Sequence, residues 1–69
     1  MSIVQKELTS RKSEIQKELE LLFKANMKIT DWDVAEADDQ EAAEILVNIL
    51  QEKLDSIRKD VDSGKYINY

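Results

Sequence analysis

The sequence predicts an all-α protein: an antiparallel two-helix hairpin, with helices at about 3–26 and 34/38–63, that dimerises into a four-helix bundle with coiled-coil packing. Three observations carry this reading. Apolar residues recur at helical spacing in two stretches of matched length. Neither stretch contains a proline. A short acidic segment separates them, and helices of equal length with a short connection favour antiparallel neighbours. The 69 residues then form a single hairpin domain, with an acidic turn at about 27–37 and a short C-terminal tail at 64–69.

The first helix opens on Ser2-Ile3-Val4-Gln5, which has capping-box spacing: the serine hydroxyl accepts from the backbone N–H of Gln5, whose side chain reaches back. Val4, Leu8, Ile15, Leu19 and Leu22 share one stripe from there. Glu7 with Arg11 and Glu20 with Lys24 are i,i+4 ion pairs in the favourable order.

The second helix has two candidate starts. Asp33-Val34-Ala35-Glu36 has capping-box spacing, with Trp32 at the staple position before it. Asp38 is the other cap, with Asp39 and Glu41 in a first turn where acids complement the helix dipole. The stripe runs through Ala43, Leu46, Val47, Leu50, Leu54, Ile57 and Val61, and Ser63-Gly64 is the stop, because glycine adopts the left-handed conformation of a helix C-terminus. In this hairpin, positions pair when their numbers sum to about 65. Leu8 then lies near Ile57, Ile15 near Leu50, and Leu19 near Leu46.

A single hairpin of this size has little core to stabilise it, and the absence of cysteine removes disulfides as a remedy. The sequence indicates where more burial is available. Near the turn, Leu21 and Phe23 flank the first stripe on opposite sides, and Ile45 and Ile49 widen the second. A helix with two apolar faces needs two neighbours. We therefore expect a homodimer whose self-association surface centres on Leu21, Phe23, Ile45 and Ile49; the in-chain alternative is that Trp32, Met27 or the tail folds over them. In the distal half Arg11 and Lys12 interrupt the stripe opposite Glu52, Lys53 and Asp55, and their stems are expected to lie along the seam with the charges in water.

Composition excludes much chemistry. There is no histidine and no cysteine, so the commonest general base and metal ligands are missing. Ser10, Ser13, Ser56 and Ser63 have no histidine to activate them, and no glycine-rich phosphate loop or nucleophile elbow occurs. The expectation is a non-enzymatic protein with no cofactor and no small-molecule substrate. The apolar runs, Ile45-Leu46-Val47 among the longest, are too short to cross a membrane, and residues 1–6 lack the basic-then-apolar pattern of a signal peptide. A cytoplasmic setting follows as the expectation.

The net charge of −5 is unevenly spread. Residues 1–24 carry five basic and four acidic groups, whereas residues 29–51 carry seven acids and no base. This argues against nucleic acid, whose affinity comes from neutralising phosphates. Asp31, Trp32, Asp33, Glu36, Asp38 and Asp39 form a candidate docking surface for a basic protein. Helix-dipole complementarity in a solvated turn accounts for the same acids without a partner. Trp32 serves either as a lid on the hairpin core or as an exposed anchor. Metal binding by Asp31 and Asp33 with Asp38 or Asp39 fails the calcium-loop pattern: no glycine marks the turn, and Ala35 and Ala37 stand where ligands belong.

In layout the two helices resemble the Rop family of plasmid copy-number regulators, in which a helical hairpin dimerises into a four-helix bundle. That resemblance implies an RNA-binding face on the first helices. No family motif accompanies the layout, so no RNA-binding position carries over. On helix one Lys6, Arg11, Lys17 and Lys24 alternate with Glu7, Glu14, Glu18 and Glu20. The expected function is an interaction or regulatory protein; the alternatives are an RNA-binding dimer and a structural subunit completed by a different chain.

Overall fold

The computed structural model describes residues 2–34, 36 and 38–68. Ala35 of the alternative cap, Ala37 of the calcium-loop comparison and Tyr69 of the tail lie outside the described residues. The described chain is all-helical and consists of three helices: α1 (Ile3–Ser10), α2 (Lys12–Asp33) and α3 (Asp39–Asp62).

The predicted first helix is broken in two. It starts as expected, with the Ser2 hydroxyl accepting from the Gln5 N–H at 3.0 Å. At Arg11 the backbone leaves helical geometry, with φ −101° and ψ 5°. The Ser10 hydroxyl donates to the Glu7 carbonyl at 2.7 Å, and hydroxyls that bond back to the preceding turn bend helices. The break also redirects Arg11. The expected pair with Glu7 gives way to one with Glu14, Nε to Oε2, at 3.6 Å, while Glu20 and Lys24 pair as expected at 3.0 Å.

The helix does not end near residue 26. It runs to Asp33, so residues 27–33 of the predicted turn are helical and the connection is confined to residues 34–38. Two polar side chains that ordinarily favour turns are held inside the helix by bonding to its own carbonyls. The Asn26 amide donates to Leu22 O at 2.8 Å and the Thr30 hydroxyl to Asn26 O at 2.9 Å.

The second of the two candidate starts is the one used. Asp38 Oδ1 accepts from the N–H groups of Gln40 (3.0 Å) and Glu41 (3.2 Å), and Asp33 is the last residue of α2 rather than a cap. The far end closes as predicted: Gly64 has φ 86°, its N–H donates to Val61 O, and the Lys65 N–H donates to Asp60 O. These are the two bonds of a Schellman motif. Lys65 adds a 3.3 Å ion pair to Asp60.

α2 and α3 pack antiparallel, but not in the predicted register. Leu19 and Phe23 share a groove with Leu50 and Leu54, so facing positions sum to about 73, with Leu19 near Leu54 rather than Leu46. The shift from 65 is close to one heptad, which moves each side chain two turns along the seam without changing the face it occupies. The pair then opens. No Cα of α1 lies within 8 Å of α3, and the half-buried apolar side chains (Phe23, Met27, Ala42, Ala43, Leu46, Leu50) all belong to the half near the turn.

No side chain among the described residues is buried. The chain exposes 6,432 Å² at 8.0 kDa, where a compact monomer of that mass exposes about 4,500 Å². Its radius of gyration is 16.0 Å, against about 11 Å for a compact domain of this length.

Candidate interaction surface

Helical phase determines which apolar side chains share a face. On α2, Phe23 and Thr30 point into the seam; on α3, Leu46 and Leu50 do so. One residue earlier on each helix come Leu22, Ile29, Ile45 and Ile49, turned about 100° away from the seam. Because the helices are antiparallel, that turn leads to the same side of the hairpin on both. All four are exposed. Ile15 and Leu8 continue this line at seven-residue steps from Leu22. Ile45 and Ile49 also line a groove beside the turn with Thr30, Val34, Ala42 and Leu46, and Asp38 and Glu41 rim it.

One residue later on each helix lies the opposite side. There α2 presents Lys24 and Asp31, and α3 presents Val47 and Gln51. The groove on this side is rimmed by Gln16 and Glu20 as well as by Val47 and Leu54. The hairpin therefore has one side that is apolar on both helices and one that is apolar on α3 alone.

The four predicted association residues separate accordingly. Ile45 and Ile49, 52% and 56% exposed, sit together on the apolar side. Phe23 is half-buried in the seam groove with Val47 and Leu54. Leu21 is 55% exposed and, two residues from Phe23, lies on the back of α2. The sequence pattern places Leu22 in the first stripe and gives Ile29 no place in either. Their signal was the heptad interval from Leu8 and Ile15, which becomes visible once α2 is known to continue past residue 26.

At the turn, Trp32 is 90% exposed on the last turn of α2. It is not a lid: Phe23, Met27 and Thr30 fill the seam, and Trp32 is half a helical turn away from Phe23 in phase. Asp31, Asp33, Glu36, Asp38 and Asp39 lie near it in the chain at this end of the hairpin and are all exposed. Asp31 is held above the ordinary carboxylate pKa by a side-chain hydrogen bond with Asp39, then by desolvation and by the Asp39 charge. Among the described residues no three acidic side chains are gathered where a metal ion would sit, and no helix is long and apolar enough to cross a membrane.

The tail turns back on itself. The Ile67 N–H donates to Gly64 O at 3.1 Å, leaving Ile67 exposed and the Tyr66 ring 5.9 Å from the Lys65 ammonium. No family model, curated protein or solved structure matches this chain.

Proposed function

We propose that this chain is a non-enzymatic interaction protein that works as a homodimer of hairpins, a four-helix bundle that presents its acidic turns to a basic protein partner. The observation that carries the reading is the excess surface. About 2,000 Å² more is exposed than a compact chain of this mass would show. Among the described residues, every large apolar side chain outside the seam is at least one-third exposed. Self-association is the simplest way to cover such a face, because a second copy brings the same apolar surface at the same concentration. The acidic turns, with one exposed tryptophan each, remain free at the ends of such a bundle and suit a lysine- or arginine-rich partner.

Light scattering and thermal melts across a concentration series test this directly. The expected result is a mass of two chains and a melting temperature that rises with concentration. Ile49→Lys is expected to give a monomer or an unfolded chain. A well-folded monomer at all concentrations would overturn the homodimer. A partly folded chain that becomes ordered only on mixing with another polypeptide would favour a structural subunit of a mixed bundle.

A further inference from the structure

Resting on the homodimer reading, we infer that the second copy docks on the side of the hairpin formed by Leu22, Ile29, Ile45 and Ile49, and that it docks antiparallel, with its turn over the open end of the first. Three observations point to this arrangement.

The first is the sidedness of the apolar surface. Only this side presents large exposed apolar side chains from both helices, with acids confined to its rim on α3; the other carries Gln16, Glu20, Lys24 and Asp31 on α2. Burying that other side would desolvate the Glu20–Lys24 ion pair and Asp31 on α2, where the favoured side offers Leu22 and Ile29. The molecule measures 49 × 26 × 17 Å, so its broad side offers more than the roughly 800 Å² per partner of a standard interface.

The second is charge. Residues 19–50, which form the turn half, carry two bases and eight acids, a net −6; the remaining residues carry eight bases and seven acids, a net +1. A parallel dimer sets −6 beside −6. An antiparallel dimer sets −6 beside +1 twice, replacing strong repulsion with weak attraction, and charge patterning of this kind fixes orientation more than it adds affinity.

The third is shape. The hairpin is closed at the turn and open where α1 parts from α3. Antiparallel stacking lays the narrow end of one copy over the wide end of the other. Leu8, Ile15 and Ile57, all exposed toward the open end, then meet the partner's apolar residues near its turn. A two-fold axis across the middle of the hairpin closes the assembly without leaving an unpaired surface.

The chain has no cysteine, so single-cysteine labelling is clean. A nitroxide on Glu36→Cys, exposed at the turn, reports orientation by pulsed spin–spin distance measurement. Antiparallel packing is expected to separate the two labels by a distance on the order of the 49 Å long axis. A distance within about 20 Å, two helix spacings, means parallel packing and overturns the inference while leaving the dimer intact. A monomer by light scattering overturns the homodimer and the inference together. The docking side is tested by comparing Ile49→Lys with Val47→Lys, one on each side of α3. Loss of the dimer in the first and its retention in the second, with helical circular dichroism preserved in the second, is the expected result. Retention of the dimer in Ile49→Lys with loss in Val47→Lys overturns the assignment of the side.

Discussion

Across the turn, Asp39, the first residue of α3, holds the carboxyl of Asp31, near the end of α2, above its ordinary pKa, by side-chain hydrogen bonding first and then by desolvation and its like charge. The two groups sit at opposed helix ends. Asp39 complements the dipole of α3, while Asp31 lies near the C-terminus of α2, where negative charge is unfavourable. Closing the hairpin at this point thus brings two like charges together, and a proton on Asp31 relieves the contact.

The pH dependence follows in sign. Asp31 has a higher pKa folded than unfolded, so its contribution to stability is complete below the ordinary carboxylate range and is lost as pH rises through the raised value. At neutral pH the pair opposes folding. Asp31→Asn is expected to raise the melting temperature at pH 7 and to leave it unchanged once the pH is below both values. Melts of the two proteins at a matched concentration check this; a variant less stable at pH 7 would contradict it.

Asp38 holds the start of α3 by accepting from two backbone N–H groups, those of Gln40 and Glu41. Asp38→Ala leaves both donors to water and is expected to cost about 1 kcal/mol in urea denaturation. Asp38→Asn, which keeps a capping acceptor, is expected to recover most of that loss. The comparison separates capping from the charge that Asp38 also contributes to the turn.

Gly64 ends α3 at φ 86°, a region in which a Cβ is strained. A Cβ there would also stand 3.0 Å from Ile67 Cδ1, the far end of a side chain that can move aside. The strain is therefore mostly in the backbone, and Gly64→Ala is expected to cost about 1 kcal/mol. Its signature is the loss of the last-turn signals in NMR spectra with the seam residues little changed.

Trp32 is the sole tryptophan, and its placement makes it a reporter of the turn alone. Its fluorescence is expected to be that of a hydrated indole, fully open to acrylamide, and unchanged as concentration drives self-association on the side of Ile45 and Ile49. A lysine-rich peptide that docks on the acidic turn is expected to shield it. That shielding should fade at 1 M salt, where charges are screened beyond about 3 Å. Shielding that tracks protein concentration instead would place Trp32 in the self-association interface.

What the sequence made legible was local chemistry. Ser2, Asp38 and Gly64 each satisfy orphan backbone groups with a residue type suited to that task, and all three ends are where those residues stand. The two misreadings arose where local signals oppose the observed outcome. Thr30-Asp31-Trp32-Asp33 has low helix propensity and places acids at a helix C-terminus, both marks of a turn. The helix nevertheless continues, because Asn26 and Thr30 bond back to its own carbonyls and Phe23, Met27 and Thr30 extend the seam to meet Leu46 and Ala42. At Arg11 the opposite happened: a well-spaced pattern was interrupted by a hydroxyl bond from Ser10 that periodicity does not register. The register error follows from the first misreading, since seven extra helical residues displace the pairing by one heptad. At the candidate surface, the acidic turn and the Ile45–Ile49 pair were legible from composition and phase. The separation of Phe23 and Leu21 from that pair depended on which side of each helix faces the other.

The break at Arg11 sets α1 apart energetically. Eight residues are fewer than the 12–15 at which isolated helices become even marginal in water. Lacking contact with α3, α1 can unwind without loosening the hairpin beyond it. Its amide protons should therefore exchange with solvent through local opening, well ahead of those flanking Phe23 and Leu46. Protection of α1 would be gained only where another surface lies against Leu8, so the exchange rate of this segment measures how far along the hairpin that surface extends.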